Sequence, residues 1–177
     1  MDEDALLAQC EMTKGRTRGP GGQHRNKVET MVELRHTPTG ISAHAGERRM
    51  VTENKRVALF RLRLRLAVDH RCPVPSGEVG SDLWRSRRKS PERGPGASPA
   101  ARLHSGGRIV CSPEHHDFPA LLAEALDVIA AAGWDVAKAA LRLDVSPTQL
   151  VKLLKDHRPA LTRLNAERQE RGLHGLK

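Results

Sequence analysis

The sequence predicts an α+β protein in three stretches: a short antiparallel sheet followed by one helix, a basic connecting segment, and an all-α, helix-turn-helix-like domain. Three observations lead there. Apolar and polar residues alternate on both sides of a Pro- and Gly-containing turn near residue 38; from Val51 the apolar positions recur at intervals of three and four; and beyond a Pro-, Gly- and Ser-rich interval a second, wholly helical pattern begins. The corresponding boundaries are 1–70, 71–112 and 113–177.

In the first stretch, Val28, Met31, Val32 and Leu34 lead into Thr37-Pro38-Thr39-Gly40, after which Ile41-Ser42-Ala43-His44-Ala45 alternates again. That is a hairpin signal. Ala58, Leu59, Leu62 and Leu66 then share one helical face, with Lys55, Arg56, Arg63 and Arg65 elsewhere. Arg61 to Leu66 alternates strictly and by itself reads as a strand, but the run is long and poor in β-branched residues, which favours helix. Pro73, Pro75, Pro91, Pro95 and Pro99, mixed with Gly, Ser and the cluster Arg85-Ser86-Arg87-Arg88-Lys89, make residues 71–112 too poor in apolar surface to offset the entropy of ordering them. The segment is expected to be a largely disordered basic linker, with Trp84 the exception that docks. Leu121, Leu122, Ala125, Leu126 and Ile129 form an amphipathic stripe that Gly133 closes as a helix C-cap. Val136, Ala137, Ala140 and Leu141 are expected to be the apolar face of a short helix, Asp144-Val145 its turn, and Ser146-Pro147-Thr148-Gln149 the start of the next, with a capping box and Pro at the first position. Leu150, Leu153 and Leu154 supply its buried face. The run from Arg163 to Arg171 mixes both signs and reads as a solvated helix.

Thirty Lys and Arg stand against twenty-one Asp and Glu, a net charge of +9 that suits a phosphate-rich partner. No apolar run reaches membrane-spanning length, and Met1-Asp2-Glu3-Asp4 is acidic where a targeting peptide is basic, so a cytoplasmic protein is expected. Cys10, Cys72 and Cys111 are far apart and form no Cys-x-x-Cys pair; reduced, inert thiols are the default reading. With two Trp, two Phe and no Tyr there is little material for stacking bases, which makes any nucleic-acid contact mainly electrostatic.

Chemistry concentrates between Thr13 and Lys27. Lys14, Arg16, Arg18, Arg25 and Lys27, with His24, surround Gly19-Pro20-Gly21-Gly22-Gln23, and no acid interrupts them. Glycines let bare backbone approach a crowded surface closely. Against this stands the bland reading of a solvated surface loop, since a Gly-Gly-Gln tripeptide arises by chance in roughly a few per cent of chains this long. Its neighbours decide the matter. Gly19-Pro20-Gly21-Gly22-Gln23-His24, Asn26, Glu29-Thr30, His36-Thr37-Pro38-Thr39-Gly40, Glu47-Arg48 and Glu53-Asn54-Lys55 closely resemble the catalytic domain of class I peptide chain release factors and related ribosome-rescue hydrolases. The resemblance covers roughly the first 70 residues.

That resemblance implies a Gly-Gly-Gln loop entering the peptidyl transferase centre of the large ribosomal subunit and triggering hydrolysis of peptidyl-tRNA, with Gly21, Gly22 and Gln23 as the catalytic residues. No cofactor and no metal are expected. Lys14, Arg16, Arg18, His24, Arg25 and Lys27 would contact ribosomal RNA. Gln23 cannot act as a general base, because a carboxamide does not titrate near neutral pH. Its backbone N–H is left to stabilise the oxyanion while its side chain confines the attacking water. Arg25 and Met31 depart from the family pattern, where a β-branched aliphatic and a small residue or Lys are usual.

Other combinations are weaker. His24, His36 and His44 with Ser42 lack a nucleophile elbow and an orienting acid, and solvent-exposed strand histidines are expected instead. Glu114-His115-His116-Asp117 holds metal-ligand types, but adjacent histidines do not readily address one ion and Asp117 is well placed to cap the following helix. Residues 134–154 resemble the helix-turn-helix of Fis-type DNA-binding proteins and would offer Thr148, Gln149, Lys152 and Lys155 to a groove; a helical bundle for partner docking fits equally well. Only about ten residues precede the first strand, so no codon-reading region is expected there and the chain reads as a codon-independent rescue hydrolase. Arg85, Arg87, Arg88 and Lys89 are the candidate sensor of a stalled ribosome. The alternative is a non-hydrolytic nucleic-acid-binding regulator, and the oligomeric state is left open.

Overall fold

Alternation and helical spacing become strands and helices in the computed structural model, which describes residues 3–16, 29–75, 79–89 and 106–177. Two compact units emerge, Met1–His70 and Arg71–Lys177.

In the first unit a short helix α1 (Glu3–Leu7) precedes β1 (Cys10–Gly15), β2 (Met31–His36), β3 (Ser42–Ala45) and α2 (Val51–Asp69). The sheet is antiparallel in the order β1-β2-β3, with Met12 opposite Leu34 and Leu34 opposite Ala43. Alternation therefore delivers Val32, Leu34, Ala43 and Ala45 to one face, where they pack with Leu6 and with Ala58, Leu59 and Leu62 of α2. The expected hairpin is present: Gly40 takes a positive φ of 72°, and the backbone N–H of His36 donates to Ile41. Arg61 to Leu66 lies within α2, where Leu62 is fully buried. The guanidinium groups of Arg61 and Arg65 reach the carbonyls of His44 and Ser42 on β3, and Arg63 pairs with Glu3 of α1 at 3.1 Å.

Expectation and structure part at His36. It is buried rather than exposed, with Nδ1 2.8 Å from Thr39 Oγ1 and Nε2 3.0 Å from Gln9 Oε1. Since the Gln9 oxygen only accepts, Nε2 carries the proton and Nδ1 accepts from the Thr39 hydroxyl. Burial, and then the neighbouring His70, lower its pKa. His44 is exposed, as expected.

The second unit comprises α3 (Asp82–Arg87), β4 (Arg88–Lys89), β5 (Arg108–Ile109), α4 (Phe118–Ala131), α5 (Val136–Arg142), α6 (Pro147–Lys155) and α7 (Arg158–Glu170). Its first elements lie inside the segment whose composition suggests a linker. Trp84 explains the difference: it is 1 % exposed and its indole N–H donates to the Leu143 carbonyl at 3.0 Å, so one large residue anchors a polar stretch. Ser81 caps α3 through the Trp84 N–H, and β4 pairs antiparallel with β5.

Leu121, Leu122, Ala125, Leu126 and Ile129 of α4 are all fully buried, and Gly133 follows the helix at φ 69°, as the sequence requires. Asp117 occupies the N-cap position of α4 without capping it by its side chain. The phase of α5 also differs from expectation: Val136, Ala139 and Ala140 are buried, whereas Ala137 is exposed and Leu141 is 79 % exposed. Ser146 caps α6 by accepting from the Gln149 N–H, and Leu150, Leu153 and Leu154 are buried. Helix α7 is less solvated than its charges suggest. It buries Ala160, Leu164 and Glu167, the last held by Arg163 and Arg171 at 2.6 and 2.7 Å.

Candidate functional site

Residues 16–30 connect β1 to β2, and Gly21, Gly22 and Gln23 fall within this connection. Residues 17–28 lie outside the described residues, and with them Arg18, His24, Arg25 and Lys27. What the structure defines is the stem from which they spring. The last register pair of the two strands is Gly15 opposite Met31. A Cβ on Gly15 would stand 2.7 Å from the Met31 Cε, the end of a flexible side chain that can move aside. One step further out, Arg16 faces Glu29 at 3.6 Å; both are more than half exposed, and such a pair contributes little. Lys14 is exposed, with no side-chain partner among the described residues.

A stronger restraint comes from α2. Asn54, 0 % exposed, donates from Nδ2 to the Thr30 carbonyl at 2.6 Å and to the Arg48 carbonyl at 2.9 Å, and its Oδ1 accepts from the Arg48 N–H at 2.9 Å. A single carboxamide thus ties the returning strand of the connection to the first turn of α2 and to the segment between β3 and α2. Beside it, Glu47 takes the Gly46 N–H at 3.0 Å and pairs with Arg61 at 2.6 Å. Burial alone would raise the Glu47 carboxyl, but the hydrogen bonds from Arg61 and the backbone, with the Arg61 charge, bring it below its ordinary value. Sequence reading places Asn54 among the residues that carry the family resemblance but assigns it no task. Its signal is a polar residue that the helical spacing puts on the same side as Ala58.

In the second unit the basic cluster is largely committed to internal partners. Arg85 faces the fully exposed Asp82 at 3.4 Å; Arg87 binds Asp117 through Nη2 and Nε at 2.5 and 3.0 Å; Arg88 pairs with Asp144; and Lys89 has no side-chain partner among the described residues. His115 and His116 also converge on Asp117, their rings 4.3 Å apart, and one ligand-type atom from each of the three lies within 4.8 Å of the others. The irregular turn before α4 allows what adjacent positions on a regular element would not. Burial would raise the Asp117 carboxyl, but Arg87, His116 and His115 bring it below its ordinary value. A guanidinium already fills the position where a cation would be drawn, with Arg87 Nη2 also 3.2 Å from His115 Nε2. The three cysteines are unpaired thiols, and burial raises the pKa of Cys10 and Cys111. Among the described residues no helix is long and apolar enough to cross a membrane.

Comparison with known proteins places the stem and its connection in one matched segment. Residues 7–78 match the model of the RF-1 domain. The chain is similar to an uncharacterised mitochondrial peptide chain release factor-like protein of Saccharomyces cerevisiae, 38 % identical over 76 residues, covering 43 % of this chain and 48 % of that one. It is similar also to peptide chain release factor 1 of Acidiphilium cryptum, 40 % identical over 79 residues (45 % of this chain, 22 % of that one), and to the chloroplastic peptide chain release factor PrfB1 of Arabidopsis thaliana, 47 % identical over 53 residues (30 % and 12 %). The chain therefore spans about half the length of the yeast relative and a smaller share of the two release factors.

Proposed function

With its RF-1 domain over residues 7–78, the chain is a member of the class I peptide chain release factor family, and from that premise we propose that it hydrolyses peptidyl-tRNA on the ribosome without reading a stop codon. The observation that carries the reading is an intact Gly21-Gly22-Gln23 within the β1–β2 connection of the matched segment. Its partners are then the large-subunit RNA around the peptidyl transferase centre and the peptidyl-tRNA ester.

In this reading the Gln23 backbone N–H meets the oxyanion that forms as water attacks the ester carbonyl, a contribution of about 3–4 kcal/mol for one preorganised donor. The Gln23 side chain limits the space open to the attacking water. Proton transfer falls to ribosomal RNA and the terminal ribose, because no group in Gly-Gly-Gln titrates near neutrality. Gly21 and Gly22 let the backbone turn without a Cβ against RNA. Lys14, Arg16, Arg18, His24, Arg25 and Lys27 supply ground-state binding through phosphates, and Arg85, Arg87, Arg88 and Lys89 are carried forward as the candidate sensor of an empty mRNA channel. Among these last four, Lys89 has no side-chain partner among the described residues. A cytoplasmic location is part of the proposal; two of the relatives are mitochondrial or chloroplastic by name.

Release of labelled peptide from ribosomes on truncated mRNA tests the reading. Wild type should release at least as fast there as on ribosomes displaying a stop codon, whichever codon is used. Gly22→Ala and Gln23→Ala should abolish release while leaving ribosome affinity nearly unchanged, because they act on the transition state. A strict stop-codon requirement would remove codon independence, and wild-type release by Gln23→Ala would remove the mechanism.

A further inference from the structure

The second unit sorts its cations into two groups. Arg87, Arg88, Arg142, Arg163, Arg168 and Arg171 are engaged internally, with carboxylates or backbone carbonyls. Lys89, Arg108, Lys152, Lys155, Arg158 and Lys177 are exposed and have no side-chain partner among the described residues; of these, Lys152 and Lys155 lie on α6, and Arg108 on β5 lines a groove with Lys152. On α6 the exposed positions Thr148, Lys152 and Lys155 are spaced four and three apart, one stripe opposite the buried Leu150, Leu153 and Leu154. A groove runs along each side of this stripe. One is lined by Arg108, Ser112, Gln149, Lys152 and Asp156, the other by Thr148, Val151, Lys152, Lys155 and Arg168 with Asp135, so each groove carries more cations than carboxylates.

Arg108 does not reach α6 by chance. Gly107 forms a parallel bridge with Val145 in the turn between α5 and α6: its N–H donates to Asp144 at 3.0 Å and its carbonyl accepts from Ser146 at 3.2 Å. A Cβ on the preceding Gly106 would fall 2.2 Å from the Val145 carbonyl carbon, so this approach needs glycine. Backbone pairing thus fixes the strand that carries Arg108 against the start of α6.

We propose that the exposed face of α6, together with Arg108, is a docking surface for the phosphate backbone of double-stranded RNA. The proposal rests on the ribosome-directed reading above and assigns the second unit its part in ribosome binding. The residue types choose the ligand. Two lysines act as point charges toward phosphates, and the Thr148 hydroxyl suits a ribose 2′-OH; double-stranded RNA is recognised through these groups because its major groove is too narrow for side chains to read. Of the side chains that pair with DNA base edges, the lysines and Arg108 serve phosphates equally well, and the one amide on this helix, Gln149, is half-buried. Among the described residues no aromatic side chain lines either groove for a single strand to stack upon. Nor does the stripe present a large apolar wedge for a membrane, Val151 being half-buried.

The full-length protein binding a 20-base-pair RNA hairpin, measured over a range of salt concentrations, tests this. Replacing Arg108, Lys152 and Lys155 by Gln together should lower the slope of log K against log salt by about 0.9 for each charge lost, and weaken binding at 0.1 M salt on the order of 10²-fold. Arg158→Gln, which removes an exposed charge at the start of α7 that lines neither groove, should bind as wild type. Trp fluorescence checks that the triple variant is folded; if it is not, Lys155→Gln alone should still lose about one unit of slope. Wild-type affinity and slope in the folded variant overturn the proposal, as does tighter binding to a DNA duplex of the same sequence. RNA affinity and peptide release are separate readings: a chain that binds the hairpin through these residues but releases no peptide would refute the hydrolase and leave the surface standing.

Discussion

Asn54→Ala is the most informative perturbation of the first unit, because one side chain closes the stem of the Gly-Gly-Gln connection. The substitution removes three hydrogen bonds from a fully buried position and leaves the Arg48 N–H and the Thr30 and Arg48 carbonyls without their partner. At about 0.5–1.5 kcal/mol net for each bond, the loss sums to roughly 2–4 kcal/mol. It falls toward the lower end, since Thr30 is half-buried and Arg48 exposed, so water can reach part of what is uncovered. Trp84 and Trp134 both belong to the second unit, so tryptophan fluorescence reports that unit alone. Amide exchange on the intact chain is therefore the assay: protection of β2 and α2 should drop by the stated amount while the fluorescence-detected urea midpoint stays where it was. Peptide release, measured at a temperature where the first unit is still folded, should slow by as much as about 10²-fold if the stem shifts by an ångström. Protection within about 0.5 kcal/mol of wild type, a surface-like effect, would refute the claim that this carboxamide holds the stem.

Three further outcomes follow from the geometry. The pKa of His36 is lowered in the folded protein, so the unfolded chain takes up protons first; the stability that His36 contributes is present above the ordinary value near 6.5 and is lost as pH falls from there through the folded pKa. Amide exchange in the first unit at pH 7.5 and 5.5 should show this loss, and His36→Gln should shrink it. Arg87→Met should destabilise the second unit by about 1–2 kcal/mol in urea, whereas Arg85→Met, whose partner Asp82 is fully exposed, should change it by a few tenths. Leu143→Ala, at a site 2 % exposed, should cost about 2–5 kcal/mol, against less than about 0.5 for Leu141→Ser on the solvent face of α5.

Several features were legible in the chain itself because they depend on neighbours a few residues apart. The β2–β3 hairpin follows from alternation around Thr37-Pro38-Thr39-Gly40, α2 from its leucine spacing, the end of α4 from Gly133 and the start of α6 from Ser146-Pro147. The Gly-Gly-Gln motif belongs to the same class, being a contiguous run with a residue pattern around it that matches the RF-1 domain.

Tertiary structure decided whatever depends on a distant partner. Asn54 is one polar residue in a helix until Thr30, 24 positions away, and Arg48 are brought to it. His36 reads as an exposed strand residue until Gln9 and Thr39 enclose it. The cluster from Arg85 to Lys89 reads as free positive charge, yet Arg87 and Arg88 meet Asp117 and Asp144, 30 and 56 residues on. Trp84 could draw α3 out of a linker-like composition only because Leu143, 59 residues later, offers its carbonyl in an apolar setting. Even the rotation of α5, whose seven residues carry alanines and a leucine on both sides, was left open by its own sequence and set by the helices packed around it. Periodicity states which residues share a face, but which face is buried and which charges are neutralised depend on groups that only folding brings within hydrogen-bonding distance.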